Sequence, residues 1–328
     1  MTRKLGRSGI EVSAIGMGCW AIGGPAFRDE TPVGWGDVDD SESARSIQHA
    51  IDNGVTFFDT ADVYGAGHSE RVLGVTVKSM RERVVIATKF GNTFDEATRK
   101  LTGSNTAPDY IRSACDASLA RLQTEYIDLY QLHVGNLPLE QIDDVLAVLE
   151  ELVAAGKIRA YGWSTDDAER ARAFARGEHC ASAQYQMNVL SDSPEMVQVC
   201  EELGLAGLNR GPLAMGLLSG KYGPDSVLPG NDVRGPNAPS WMRYFKDGKP
   251  SAEFMTRLDA VREILTSQGR TLAQGALGWL LARSQTTLPI PGFKTANQVE
   301  ENAGAMHHGP LTSEQMAEIA RLLGAAAT

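Results

Sequence analysis

The sequence lacks most of the features that mark a specialised environment. Its four cysteines, Cys19, Cys115, Cys180 and Cys200, stand far apart with no CxxC pair. That excludes a disulfide framework or a zinc knuckle and suits reduced thiols. The six histidines include no HExxH, and the adjacent His307 and His308 read as a surface turn, so no metal centre is expected. No apolar run reaches the roughly 18 residues of a spanning helix. The opening MTRKLGRSGIEVSAIG has no apolar signal core, which predicts a cytoplasmic protein. Basic charge is scarce as well: the formal net charge of −10 argues against nucleic acid or an anionic membrane as partner.

What remains is an ordinary globular composition, 42% hydrophobic over 328 residues, enough for one large α/β barrel or two smaller domains. Eight candidate strands lie at 13–19, 56–61, 84–90, 127–133, 158–164, 181–187, 205–211 and 286–292. They alternate with stretches of helical spacing at 41–54, 108–123, 138–156, 167–177, 194–203, 271–284 and 296–305. In the first of these Ile47, Ala50 and Ile51 share a face and Gly54 ends the run. Eight strands alternating with helices predict a parallel sheet, and at this length a single closed (β/α)₈ barrel over residues 1–328. The segment RKLGRSGIEV predicts a small hairpin, with its turn at Ser8-Gly9, plugging one barrel end. Two long insertions, 23–40 and 222–250, follow strand C-terminal ends and carry aromatics, as the walls of a binding site do.

Two motifs are decoys. GMGCWA (16–21) fits the glycine pattern of a dinucleotide fold, but IGGPAFRDETP follows it and cannot begin the helix that pattern needs. GLLSGKY (216–222) is one residue short of a phosphate loop, and Tyr222 stands where a Ser or Thr must hold Mg²⁺.

The informative residues end adjacent strands: Asp59 the second, Lys89 the third and His133 the fourth, with Tyr64 in the loop after the second. A parallel barrel brings these ends together on one face. Alone, His133 is more often a satisfied core histidine, and Asp59 an ordinary turn residue. Together the four suit carbonyl reduction. Lys89, anchored by Asp59, is expected to lower the phenol's ordinary value near 10 so that Tyr64 can protonate a carbonyl oxygen. His133 would hydrogen-bond and orient that oxygen. None of these residues donates hydride, so a nicotinamide cofactor is implied.

At this point the chain resembles the aldo-keto reductases, from Arg3 to about Leu323. FFDTADVYGAGHSE resembles that family's Asp–Tyr signature, VVIATKF its lysine strand and IDLYQLH its histidine strand. GKIRAYGWST and LPIPGFKTANQVEENAGA resemble the two segments that follow in order. The resemblance implies a (β/α)₈ barrel reducing a small carbonyl substrate with NADPH, and catalytic roles for Asp59, Tyr64, Lys89 and His133. It implies that Trp20 and Asp59 border the nicotinamide ribose and that Ser164 and Gln184 hold the carboxamide, with Cys19 and Thr165 also in the cofactor site and Thr165 standing where many relatives have Asn. Arg210 would stack on the ring or reach phosphate. Gly211, Pro212, Leu213, Ala214, Gly216 and Lys221 would cradle the pyrophosphate, with Arg234 clamped over it. Gly292 leads into Lys294 and Thr295, which would meet the 2′-phosphate beside a helix N-terminus near Ala296. Gln298, Glu301 and Asn302 would contact adenine and ribose. Two other roles exist within such a scaffold: a cofactor-sensing partner like the channel β-subunits, or a sugar or polyol dehydrogenase. The complete tetrad favours an enzyme.

Overall fold

The computed structural model describes residues 1–324, so the last four residues of the single domain expected over 1–328 lie outside it. Eight strands form one sheet: Met17–Gly18, Phe57–Asp59, Val85–Phe90, Ile127–Leu132, Ile158–Ser164, Cys180–Gln186, Ala206–Arg210 and Thr287–Pro289. Each is hydrogen-bonded, in parallel, to the next in the chain. The sheet closes where Gly18 bridges Gly292 and the amides of Gly16 and Gly18 donate to the carbonyls of Pro289 and Pro291. This is the (β/α)₈ barrel that the alternation predicts. Each strand is shorter than, or about as long as, its expected span.

The period-two alternation of strand side chains divides the interior. Phe57, Val85, Ala87, Leu129, Ala160 and Leu208 fill the barrel, while residues of opposite parity, such as Phe58, Ile86 and Tyr130, pack under the helices. Local signals start several helices where expected. Asp39 accepts from the amides of Ser41 and Glu42 to open helix Asp40–Asp52. Thr271 and Gln274 form a reciprocal capping box ahead of Leu272–Arg283. Three helices carry no counterpart in the sequence reading: His68–Val77, Ala252–Leu265 and Ser313–Leu323. The first begins inside the glycine-rich turn and buries Ser69 and Glu70, so it shows no clean apolar stripe.

Both insertions have structure of their own. Phe27–Arg28 and Thr31–Pro32 join a hairpin of Asn92–Asp95 and Lys100–Ser104 in a four-stranded sheet, while Phe245–Lys246 pairs with Lys249–Pro250. The two insertions also touch: Val233 donates its amide to the Gly34 carbonyl at 3.1 Å.

The N-terminal hairpin pairs Thr2–Lys4 with Glu11–Ser13 through a turn wider than Ser8-Gly9, built on a short 3₁₀ helix at Gly6–Ser8. Leu5 and Val12 complete the apolar filling of the barrel. Arg3 donates to the carbonyls of Leu281 and Ser284 at 2.8 and 2.6 Å, at the end of the helix Leu272–Arg283, where a cation is favoured. Gly6 has φ +49°, and a Cβ there would lie 2.1 Å from the Ala181 carbonyl oxygen. Gly6→Ala should therefore lower stability by about 2 kcal/mol. Urea unfolding would show this as a lower midpoint, and an unchanged midpoint would mean that the hairpin is not pressed onto the barrel.

Candidate active site

The C-terminal end of the barrel carries its polar layer. Strand alternation points Asp59, Lys89 and Gln131 inward, above the apolar residues two positions earlier in each strand. Lys89 is fully buried. An ammonium there is tolerable only with every N–H satisfied. Its Nζ donates to Asp59 Oδ1 at 2.5 Å, to the Thr60 carbonyl at 2.9 Å and to Tyr64 Oη at 3.1 Å. Three donors meet three acceptors. Asp59 Oδ2 in turn accepts from Gln131 Nε2 at 3.0 Å and from Gln184 Nε2 at 2.8 Å.

Tyr64 and His133 stand at the mouth, both half-buried, with ring centroids 5.9 Å apart and edge to face. Trp20 stacks on Tyr64 at 6.0 Å, and Trp35 and Trp241 flank Trp20 at 5.3 and 6.3 Å. The four residues expected at the strand ends are thus brought together at the C-terminal end of the barrel. The acidity of Tyr64 differs from the expectation. Burial raises the phenol pKa, Lys89 pulls it down, Asp59 pushes it up again, and the net result lies above the ordinary value. The phenol therefore holds its proton at neutral pH. Burial, with Lys89 and Arg210 nearby, drives His133 well below the usual imidazole range, so the ring is neutral. Its Nδ1 is buried without a partner. The proton accordingly belongs on Nε2, the other ring nitrogen, because a buried N–H lacking an acceptor is costly.

The residues expected around a cofactor line the same face, with some in other roles. Ser164 and Gln184 lie side by side in register on adjacent strands. Both hydrogens of the Gln184 amide are taken by Asp59 and Gln131, which leaves its oxygen to face a ligand. Thr165 does not join them. Its hydroxyl donates to the Gly135 carbonyl and accepts from the Asp167 amide, so it braces a loop. Arg210 reaches Asp166 and, at 3.2 Å, Gln186 Oε1, at the rim of the opening. Beyond Gly211 and Pro212 comes a turn in which Ala214, Met215 and Gly216 all have positive φ, a strained left-handed run of the kind found at ligand sites. Cys19 is buried beneath, with its thiol pushed far up by burial and by Asp59.

Arg234 is the clearest correction. The sequence reading has it clamp a pyrophosphate. Instead its guanidinium is buried, donating to both oxygens of Asp232, to the Met215 carbonyl and to Tyr222 Oη, and it lies 4.6 Å from the Trp35 ring. It ties the long loop down. Lys294 Nζ donates to the Trp35 carbonyl at 2.7 Å. Its pKa is lowered by burial and by Arg234 and Lys221, against the pull of Asp232 and Asp37. Three cations therefore share this end of the groove, with Lys221 resting on the Tyr222 ring. At the N-terminus of the helix Ala296–His308, the Ala296 amide donates to Glu42 Oε1 at 3.2 Å and the Gln298 amide to Thr295 Oγ1. Gln298 Oε1 accepts from the Lys294 amide, Asn302 donates to the Gly292 carbonyl at 3.4 Å, and Glu301 follows on the same helix.

A model of the Aldo/keto reductase family matches residues 14–323. The aldo-keto reductase yakc of Schizosaccharomyces pombe, whose name specifies NADP(+), is 34% identical over 315 residues, covering 93% of this chain and 86% of its own. Among solved structures, glycerol dehydrogenase AKR11B4 from Gluconobacter oxydans superposes with a TM-score of 0.83 at 28% identity, over 98% of this chain and 95% of its own. An aldo-keto reductase from Klebsiella pneumoniae, in complex with NADPH, gives 0.72 at 27% identity, over 100% and 98%. Among the described residues, no helix is long and apolar enough to cross a membrane.

The balance at Tyr64 is testable without any substrate. Lys89→Met removes the cation that favours phenolate and leaves the Asp59 carboxylate that opposes it. The Tyr64 titration should move to higher pH by about one unit or more, read by NMR of ring-labelled tyrosine. An unchanged titration would mean that Lys89 does not act on the phenol.

Proposed function

The chain belongs to the aldo/keto reductase family, and on that premise we propose that it reduces small aldehydes or ketones to alcohols with NADPH. The observation that carries this reading is the third N–H of Lys89, directed at Tyr64 Oη. The phenol oxygen accepts from the ammonium, so its own proton is free to point into the opening. When bound, the cofactor supplies hydride to the carbonyl carbon. The chain supplies the rest. Tyr64, held protonated by burial, gives its proton to the carbonyl oxygen as negative charge develops there. The neutral His133 donates from Nε2 to the same oxygen and fixes its position. Asp59 holds Lys89 charged and in line. Trp20, with Trp35 and Trp241 around it, walls the substrate side and excludes water.

The groove fits a nicotinamide dinucleotide phosphate. The free oxygen of Gln184 and the hydroxyl of Ser164 suit a carboxamide, the left-handed turn at Ala214–Gly216 suits a close backbone approach, and Lys221 and Lys294 suit phosphate. The names of yakc and of the Klebsiella complex support the same cofactor.

Tyr64→Phe should lower carbonyl turnover on the order of 10²–10⁴-fold while NADPH affinity, followed by fluorescence quenching, stays within about twofold. Retention of a tenth of wild-type turnover would remove Tyr64 from the acid role. At the other end of the groove, Lys294→Ala should weaken NADPH roughly 10- to 100-fold, the value of one charge-assisted hydrogen bond, and NADH far less. Equal losses for the two cofactors would mean that Lys294 does not meet the 2′-phosphate.

A further inference from the structure

Gln131 has no part in the catalytic tetrad, yet it occupies the centre of the polar layer beneath it. It is fully buried, and Gln184 nearly so, at 0% and 2% exposure. On one side Gln131 is in register with Lys89, and on the other with Gly162. Gly162 is in turn in register with Ser182 on the sixth strand. Because Gly162 has no side chain, nothing from the fifth strand separates the amides of Gln131 and Gln184. A Cβ at 162 would lie 2.2 Å from Ser182 Oγ and 2.6 Å from the Ser182 carbonyl oxygen. Across this gap Gln184 Nε2 reaches Gln131 Oε1 at 3.3 Å, and both amides donate to the same oxygen, Asp59 Oδ2.

We propose that Gln131 is a positioning residue for hydride transfer. It fixes the amide of Gln184 and the carboxylate of Asp59 as one unit, and so holds the cofactor's carboxamide in the same frame as the Lys89–Tyr64 pair. Gln184 is thereby kept with its oxygen toward the ligand. Without Gln131, one Gln184 N–H loses its acceptor, the amide is free to turn over, and Asp59 Oδ2 keeps one donor of two. This inference rests on the proposed reductase function and adds a residue that acts through Asp59 and Gln184, without touching substrate.

Two variants test it, in the full-length protein with NADPH and a reactive aldehyde. Gln131→Leu, similar in size but apolar, should lower kcat roughly 10- to 100-fold, the cost of a small misplacement of reacting groups. The primary isotope effect with deuterated NADPH should rise as hydride transfer becomes limiting, and affinity for 2′,5′-ADP, which reads only the adenosine end, should be unchanged. Gln131→Glu puts a second carboxyl beside Asp59. While protonated, that carboxyl donates much as the amide does. As pH rises through the shared proton's pKa, lifted above the ordinary carboxylate range, the two charges repel and activity falls. The variant should therefore gain a descending limb in kcat at lower pH than the one set by the Tyr64 phenol, which wild type and Gln131→Leu share, and its activity at low pH reports that it is folded. A Gln131→Leu kcat within twofold of wild type, or a Gln131→Glu profile matching wild type, would overturn the inference. Wild-type protein with no turnover on any carbonyl compound would instead overturn the proposed function itself.

Discussion

The buried pair of Lys89 and Asp59 is the constraint on which the site depends. Taking both charges out of water costs several kcal/mol per ion, and their attraction offsets that only if the remaining donors and acceptors are met. They are met here: the ammonium has no idle N–H, and each carboxylate oxygen has a partner. This completeness fixes the geometry of what surrounds the pair. The second and third strands must hold register, Asp59 beside Ala87, for Lys89 to reach its acceptors two residues further along. The turn carrying Tyr64 must bring the phenol within reach of the third N–H. A barrel that closes in chain order meets these requirements with short strands, since each needs only to place one or two side chains.

How much of this could be read in advance depended on how local each cause is. Asp59, Lys89 and His133 were legible because strand periodicity and parallel pairing bring strand ends together whatever the intervening helices do. Gln131 could have been found by the same rule: it is an amide in IDLYQLH, at the same parity as Leu129 inside the barrel and as His133. The direction of the Tyr64 shift was not legible, because it turns on burial as well as on the neighbouring charge. The loop partners that take up the Thr165 hydroxyl and the Arg234 guanidinium were not legible for a similar reason. Asp232, only two residues from Arg234, was a visible competitor for it. Glu42 was not, lying 254 residues from the helix end it covers.

The groove around Lys294 has a further balance. Lys221, Arg234 and Lys294 stand among Asp232, Asp37 and Glu42, so its field is that of a mixed cluster, with carboxylates inside the reach of any incoming phosphate. Arg234 shapes this field without being a free donor, because Asp232 and Tyr222 hold it in place. Aromatic faces from both insertions complete the enclosure, which is why the two loops behave as one wall.

The four cysteines are all buried, and burial keeps each thiol protonated well above its usual range. Reactive carbonyl compounds, above all those with a conjugated double bond, destroy proteins chiefly by alkylating thiolates, and the thiolate is the form this chain withholds. Cys19 lies closest to the reacting groups and is further shielded by the negative charge of Asp59. A catalyst whose feedstock is electrophilic thus offers its own poison no thiolate from its cysteines, and its working life in such a mixture is set by other parts of the surface.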